Sequence, residues 1–467
     1  MMKELLSRVL VFIFACAIAM AVSFAHAEEP TISEGPNVQK ANSSSKEILT
    51  LKDFLRRVLK NNREILVKEK ELENAKWNER SAWATFFPSV DLTLSKTEAL
   101  KKDPTTHEDE NGNVVQDPPG PSFLESLGTH TSSLGVSFNL FNGMRDLISL
   151  RAAQVKYRQA QASLKETQSK TLKEAIISYT RIIAIHKYLQ LFHAYKSRRQ
   201  DNFDIVKLQY AHGKEDQGSV LLCQAYLDYV DAMILRYERI LRQTNEDLLE
   251  FMGEEITSSM YVDLNFQLSI EKPSEPINGF KDLIENREEY MNAVYSELSA
   301  HDNIRSAQAD FLPKLDLTAT GSSSSTDLDF GRQQDWNLTL NLTIPLFNGG
   351  KSYSGLQEMN NKWLIKKIDK EIIYISTNKL LRDAFYKYDE AFVEYGISQT
   401  IIKARRLKTA ITRERYRAGL SKFDSWDSAE TDLFKEEHNL IAYYREALIA
   451  QVEWWHLSGK GFDHLWK

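Results

Sequence analysis

The sequence predicts a mainly α protein with a small β part, built as an internal tandem repeat of very long antiparallel helical hairpins. Two long stretches, 144–211 and 351–418, contain no proline. Four short segments alternate between apolar and polar residues, which is the period of a β-strand. The motif Phe141-Asn142-Gly143 recurs as Phe347-Asn348-Gly349, at a sequence offset of 206.

The same offset relates Gly213 to Gly419 and Gly253 to Gly459, whereas Pro88 and Pro313 are related by a larger offset of 225. The first copy of the repeat therefore carries about 19 extra residues between Pro88 and Phe141. We divide the chain into a first repeat (48–253), a connector (254–280), a second repeat (281–460) and a tail (461–467). The first repeat has predicted strands at 88–99 and 131–141 around a loop at 100–130, then helices at 144–211 and 219–252. The second has strands at 313–322 and 335–347, then helices at 350–418 and 425–458.

The composition is that of an ordinary globular chain. Of 467 residues, 42% are hydrophobic, and 59 Lys and Arg stand against 65 Asp and Glu, which gives a net charge of −6. These values exclude collagen-like and wholly disordered chains. A nucleic-acid partner is not expected, because the net charge has the wrong sign.

The N-terminus has the pattern of a secretory signal. Lys3 and Arg8 precede an apolar run that ends at Ala25-His26-Ala27. This pattern predicts a cleaved signal peptide at 1–27, followed by a flexible linker at 28–47. No later stretch has 18 apolar residues in a row, so no transmembrane helix is expected. Only Cys223 remains after cleavage, which excludes a disulfide within the chain.

The four alternating segments have one apolar and one polar face. A soluble sheet would bury the apolar face, whereas a membrane barrel would turn it towards lipid. The barrel is favoured because the strands are about 10 residues long, enough to cross a bilayer when tilted, and no other β-rich segment could cover them. Four strands cannot close a wide barrel, so other subunits must complete it.

This interpretation assigns the strand residues to two surfaces. The lipid-facing set is Val90, Leu92, Leu94, Leu134, Val136, Phe138, Leu315, Leu317, Trp336, Leu338, Leu340 and Leu342. The lumen-facing set is Thr93, Ser137, Asn139, Thr318, Asn337, Thr339 and Asn341.

The predicted long helices would each extend about 100 Å. Their apolar residues follow 4-3 spacing, as in Leu172, Ile176, Tyr179 and Ile183. Such spacing is typical of long helices that pack by knobs-into-holes contacts. Gly213 and Gly419 mark the hairpin turns between each long helix and its return helix.

Several of these motifs together resemble the TolC-type outer membrane efflux proteins. They are Leu49-Thr50-Leu51-Lys52-Asp53, Phe87-Pro88-Ser89, Leu140-Phe141-Asn142-Gly143, Pro345-Leu346-Phe347-Asn348-Gly349-Gly350 and Tyr416-Arg417-Ala418-Gly419. The resemblance implies a homotrimer in the outer membrane of a Gram-negative bacterium, with a 12-stranded transmembrane β-barrel and a helical tunnel that spans the periplasm. It also implies a passive exit duct for an efflux pump or a type I secretion system. Its partners would be a periplasmic adaptor (membrane fusion) protein and an inner-membrane transporter.

In this family, acidic residues near the second turn constrict the tunnel mouth. The usual acidic positions hold Ser425 and Ser428 here, and Asp424 and Asp427 each lie one place earlier. Asp424 and Asp427 are therefore the candidate periplasmic gate, because three-fold symmetry would arrange them as carboxylate rings. Alternatively, they form an acidic first turn that stabilises the return helix through its dipole.

The sequence contains no phosphate-binding loop, nucleophile elbow or zinc-protease motif. We therefore expect no enzyme activity, no cofactor and no bound metal. The alternative to a channel is a soluble periplasmic coiled-coil scaffold or adaptor protein, in which the alternating segments would form a small soluble sheet.

Overall fold

The computed structural model describes residues 48–100, 106–108, 114–116, 126–254, 261–262, 269–276, 279–325 and 335–462. The predicted signal peptide, the linker 28–47, parts of the loop 100–130 and of the connector, and most of the tail lie outside these residues.

The chain divides into two compact units. Within the described residues, 78–153 and 301–360 form what we call the strand unit. The helix unit contains 48–77, 154–300 and 361–462. Short strands β1 (Ile48–Leu49) and β6 (Tyr261–Val262) pair in parallel in the helix unit.

A four-stranded antiparallel sheet is the main feature of the strand unit. Its strands are β2 (Ser89–Leu100), β5 (Ser126–Phe141), β7 (Lys314–Ser325) and β8 (Asp335–Thr343). The spatial order is β2-β5-β7-β8, so β2 and β8 are the edges of the described sheet. Strands β3 (Thr106–Glu108) and β4 (Val114–Gln116) form a separate small pair.

Three strand ends differ from the sequence prediction by three residues or more, and one of them is the end of β7, which lies at Ser325 and not at 322. Strand β5 begins at Ser126, inside the predicted loop, because β2 continues to Leu100 and pairs with it there. The residues by which β5 exceeds the predicted strand are Ser-Leu-Gly-Thr-His. Their apolar and polar side chains do not clearly alternate, so the sequence pattern did not predict a strand there. Strand β8 ends at Thr343 and not at 347. Pro345 has no amide hydrogen for a sheet ladder, which explains the earlier end.

The helices include two pairs of equal length. Helix α3 (Arg145–Ala211) and helix α7 (Lys351–Arg417) each have 67 residues, and helix α4 (Gln217–Phe251) and helix α8 (Phe423–Leu457) each have 35. These bounds lie within two residues of the predicted helices. The shorter helices are α1 (Leu51–Asn61), α2 (Arg63–Ala84), α5 (Lys281–Glu285) and α6 (Glu288–Gln308).

The helix unit contains three apolar clusters. The largest contains residues of α1, α3, α7 and α8, including Phe54, Tyr179 and Trp454. The second joins α3, α4 and α8 around Phe192 and Val230. The third lies near the hairpin turns and contains Val206, Cys223, Tyr416, Phe423 and Trp426.

In the part of the chain that the structure describes, α4 has the length and apolar composition of a membrane-spanning helix. No such helix is expected from the sequence pattern. Val230 and Ile234 of α4 are buried against α3 and α8, which is also the behaviour of an amphipathic helix in a bundle.

The turn after β5 depends on Gly143, and Gly349, its counterpart in the recurring Phe-Asn-Gly motif, provides a control. Both Gly143 (φ +71°) and Gly349 (φ +68°) have left-handed backbones, but only at Gly143 would a Cβ atom lie 2.9 Å from the carbonyl oxygen of Ala309. We expect Gly143→Ala to destabilise the strand unit by about 2–4 kcal/mol, because strain adds to overpacking. Gly349→Ala should cost about 1 kcal/mol through backbone strain alone. The thermal midpoints of the two purified variants test this, and equal losses would contradict it.

Candidate functional sites in the sheet and at the hairpin turns

The strand register brings the predicted lipid-facing residues onto one face of the sheet. Val90 lies opposite Val136, and Leu92 lies opposite Leu134. Further across the sheet, Phe138 pairs with Leu317 and Leu317 with Leu340. Because side chains alternate along each strand, the rest of that set shares this face. The structure adds two small residues to the face, Ala319 and Gly321.

The predicted lumen-facing residues lie together on the opposite face. Ser137 pairs with Thr318, and Thr318 pairs with Thr339. Thr93, Asn139, Asn337 and Asn341 alternate onto the same side. Asp91 and Asp316, which are not among the residues predicted from the sequence, also fall on this polar face and make it acidic.

The apolar face is open to solvent at both edges of the sheet. Leu92 is 67% exposed and Leu340 is 62% exposed. A contiguous apolar surface of this kind marks a contact with lipid or protein. The described residues of the strand unit leave these side chains uncovered.

Exposed aromatic side chains collect at one end of the sheet. They precede β2 and β7, end β5 and follow β8, and antiparallel pairing places all four positions at the same end. The residues are Trp83, Phe86, Phe87, Phe141, Phe311 and Phe347. Three of them, Phe87, Phe141 and Phe347, belong to the motifs that carry the family resemblance. The sequence signal for the aromatic cluster was the position of these residues beside the predicted strand ends.

The two hairpin turns have the same backbone structure. The amide of Gly213 donates to Tyr210 O (2.9 Å) and that of Lys214 to Gln209 O (2.9 Å). At the second turn, Gly419 donates to Tyr416 O (2.9 Å) and Leu420 to Arg415 O (2.8 Å). This is the Schellman C-cap, which requires a left-handed residue and so favours glycine. Both predicted turn glycines therefore lie where the helices end.

The candidate gate residues Asp424 and Asp427 lie in different environments. Asp424 is exposed in the first turn of α8 and lines a cavity of about 480 Å³ between the two turns. The Asp427 carboxylate is only 13% exposed and forms an ion pair with Arg199 of α3. Tyr226 also donates a hydrogen bond to Asp427 Oδ2 (3.3 Å). Only Asp424 therefore presents an exposed carboxylate, while the charge of Asp427 is paired within the chain.

Arg199 is the central residue of this network, and it was not identified from the sequence. Its side chain is 1% exposed and donates to Tyr195 Oη (2.7 Å) and Thr431 Oγ1 (2.8 Å). Burial acts to lower the pKa of the guanidinium, but the interactions with Tyr195 and Asp427 outweigh it and the pKa is raised. Arg199 therefore stays charged and holds α8 against α3.

The neighbouring Arg198 forms a second link between the hairpins. It pairs with Glu430 (2.5 Å) and Glu437 (2.9 Å) of α8. Glu437 also pairs with Arg406 of α7 (3.2 Å). The sequence signal for these ion pairs was the adjacent pair Arg198-Arg199 within an apolar region of a long helix. The acidic residues on one face of α8 were the second part of that signal.

Cys223 is the free cysteine of the described residues and is 1% exposed. Burial raises the pKa of its thiol to about 11, with a smaller contribution from Asp427. A protonated buried thiol is unreactive. Within the described ranges, no three His, Cys, Asp or Glu side chains form a metal-binding group.

Residues 54–254 and 280–459 match the outer membrane efflux protein family. The solvent efflux pump outer membrane protein SrpC of Pseudomonas putida is 21% identical over 416 residues, which cover 87% of this chain and 84% of SrpC. Among solved structures, CusC has a TM-score of 0.75 at 18% identity and covers 87% of this chain and 91% of its own. VceC of Vibrio cholerae has a TM-score of 0.74 at 16% identity, with coverages of 88% and 96%.

The mostly helical architecture with a small four-stranded sheet is similar to that of CusC and VceC. The chain belongs to the outer membrane efflux protein family. It is therefore related to transport channels and is not an enzyme.

The Arg199–Asp427 pair has a matched control in Arg405–Asp432, because Arg405 corresponds to Arg199 at the repeat offset of 206. The control pair (2.7 Å) is exposed by about a third on both sides. We expect Arg199→Met to lower the free energy of local opening of α8 by about 3 kcal/mol, since it leaves a largely buried carboxylate unpaired. Arg405→Met should cost less than about 1 kcal/mol. Hydrogen exchange of the amides in 423–433 measures both, and similar losses would contradict the assignment.

Proposed function

We propose that three copies of this chain form an outer-membrane channel that serves as the passive exit duct of an efflux pump. The apolar row across all four strands, whose residues on β2 and β8 are exposed, carries this proposal. In water that row would be unfavourable, whereas the hydrocarbon core of a bilayer accommodates it. The names of the relatives favour an efflux pump over a type I secretion system. The alternative of a soluble scaffold would require a cover over this row.

Closure of the barrel supports the trimer. Edge strands with unpaired amide and carbonyl groups are not tolerated in lipid. The described edges are β2 and β8, so β8 of one copy would pair with β2 of the next. Three copies would then give the 12 strands that the family resemblance implies.

The helix unit also has two surfaces, on α4 and on α7, that are available for contacts between copies. Its α3 and α8 pack on each other, as in the stacked rings of Tyr195 and Phe434, 3.9 Å apart. Helices α4 and α7 each keep an exposed apolar stripe. The stripe of α4 includes Leu222, Tyr229 and Leu235, and that of α7 includes Ile365, Ile368, Ile372, Ile375 and Ile411. Two different stripes on one chain fit a head-to-tail interface that closes into a ring.

The exposed aromatic residues at one sheet end support placement in a membrane. Aromatic girdles mark the interfaces of transmembrane barrels. We assign this cluster to the periplasmic interface, and the helix unit to the periplasm. Residues 1–27 would direct export and be cleaved. An adaptor protein and an inner-membrane transporter would supply the cargo and the energy.

The barrel interpretation is tested by adjacent substitutions on β8. Leu338 lies on the apolar face and Thr339 on the polar face. Leu338→Arg should block assembly in the outer membrane, because Arg on the lipid face costs about 2–4 kcal/mol near the bilayer centre. Thr339→Arg should be tolerated in a wet lumen. Heat-modifiable trimer bands and outer-membrane fractionation measure assembly. If both variants assemble equally well, the strands do not face lipid.

For the gate, we propose that Asp424 forms a ring of three carboxylates at the tunnel mouth, and that Asp427 acts with Arg199 to hold α8 in place. Asp424→Asn should lower the preference of the channel for cations over anions, because carboxylate rings favour cations. Asp427→Asn should change this preference less, because the Asp427 side chain is only 13% exposed whereas Asp424 is exposed. Reversal potentials in planar bilayers under a salt gradient measure both. A larger shift for Asp427→Asn would reverse the assignment.

A further inference from the structure

A polar cavity of about 620 Å³ lies in the helix unit beside the C-terminal end of α8. Three segments contribute its walls: the middle of α3 (165–172), the link from α5 to α6 (283–289), and the end of α8 with the residues after it (456–462). The cavity shares no wall residue with the hairpin turns or with the network around Arg199. It is therefore a separate feature of the helix unit.

Arg287 is the positive group of this cavity. Its side chain is 14% exposed, and one end of the guanidinium lies 3.8 Å from Glu289. The Nη1 atom donates a hydrogen bond to Leu457 O (3.0 Å) at the end of α8. The Nε atom is buried and has no hydrogen-bond partner within the described residues. A buried donor without an acceptor costs about 1–3 kcal/mol, so the site favours a bound molecule that supplies an acceptor oxygen.

Glu166 of α3 is the negative group that lacks a cation. It is partly buried, and no ion pair of its carboxylate is found within the described ranges. Burial raises the pKa of this carboxyl, and Glu289 raises it further, which outweighs the lowering by Arg287. Glu288, another acid of the wall, is already paired with Lys165 (3.1 Å). An ammonium group in the cavity would therefore stabilise the charged form of Glu166.

Two further wall groups are polar but uncharged. Ser169 Oγ and His456 Nδ1 are 2.9 Å apart and share a hydrogen bond. Burial lowers the pKa of His456 to about 4, so its imidazole is neutral near pH 7. Because Arg287 lowers the pKa of Glu166, these two charged side chains lie near enough to each other for one small molecule to contact both.

Only one of the two repeats has this combination of charges. Arg287 belongs to the run Asn-Arg-Glu at 286–288, which recurs at 62–64 with Arg63 in the middle. Glu166 corresponds to Ile372 at the repeat offset of 206. Arg63 is exposed and is not a wall residue of the cavity. It therefore provides a control for Arg287.

We infer that this cavity binds an α-amino acid in its zwitterionic form, either free or as a residue of a larger peptide that keeps both groups unblocked. The ligand carboxylate accepts a hydrogen bond from Nε of Arg287, and the ligand ammonium group contacts Glu166. An anion alone would be repelled by the three glutamates of the wall, and a cation alone would leave the guanidinium Nε without an acceptor. The inference goes beyond the proposed function and does not depend on it.

The experiment uses the full-length protein in lipid nanodiscs and isothermal titration calorimetry. The probes are L-alanine, N-acetyl-L-alanine, which lacks the ammonium group, and L-alaninamide, which lacks the carboxylate. We expect L-alanine to bind and each blocked analogue to bind about 10- to 100-fold more weakly, because each loses a contact with a charged group. A fourth probe, L-alanyl-γ-D-glutamyl-meso-diaminopimelate, separates the two sources: tighter binding than L-alanine indicates a peptide ligand, and weaker binding indicates a free amino acid.

Three variants locate the site. Glu166→Gln should raise the Kd for L-alanine about 10-fold or more, with little change in side-chain shape. Arg287→Gln should also weaken binding, but it removes the bond to Leu457 O as well, so Glu166→Gln is the decisive variant. The control Arg63→Gln should change the Kd less than about twofold, as expected of a surface substitution away from the cavity.

Binding of L-alanine that Glu166→Gln weakens and Arg63→Gln does not would support the inference. Equal affinities of Glu166→Gln and wild type would overturn it, and so would equal binding of L-alanine and N-acetyl-L-alanine. Absence of binding by both L-alanine and the tripeptide at about 10 mM would also overturn it. Each of these results leaves the proposed function standing, because that function is tested by the membrane assembly of the β8 variants.

Discussion

The apolar face of the four-stranded sheet imposes two requirements that the rest of the proposed assembly must meet. Its leucines each lose about 1.5–3 kcal/mol of burial free energy when they face water. Its edge strands carry backbone groups that lipid does not solvate. A helix laid over the sheet would meet the first requirement, but the described residues of the strand unit include no such cover. Lipid against the face and further copies at the edges meet both requirements together.

Arg199 and Arg405 occupy equivalent positions in the two long hairpins of the helix unit, but their ion pairs lie in different environments. Arg199 is buried and paired with a largely buried carboxylate, whereas Arg405 forms a pair that is exposed by about a third. The same ion pair is worth much more in the first environment, because removal of one partner leaves a charge in a site of low polarity. Two ion pairs of the same residue types therefore contribute differently to stability, because one is buried and the other is exposed.

The class of the fold and most helix and strand positions could be predicted from periodicity and from the positions of glycine and proline. The long helices end within two residues of their predicted bounds because glycine in a Schellman cap stops a helix sharply. The division of strand residues into two faces was also predictable, since alternation is a local property. The start of β5 at Ser126 was not, because those residues pair only through the extension of β2 to Leu100. The candidate gate was predicted by residue type, but the pairing of Asp427 was not.

The amino-acid sequence by itself determined which segments form the long helices and the four strands of the main sheet, where the turns lie, and which strand residues share a face. These properties follow from spacing along one segment and need no distant partner. Only the tertiary structure decided that Arg199 meets Asp427, 228 residues away, and that Leu420 stays exposed while Trp426 is buried. Contacts between distant segments depend on how helices pack, and a pattern within one helix contains no information about which neighbour it will face.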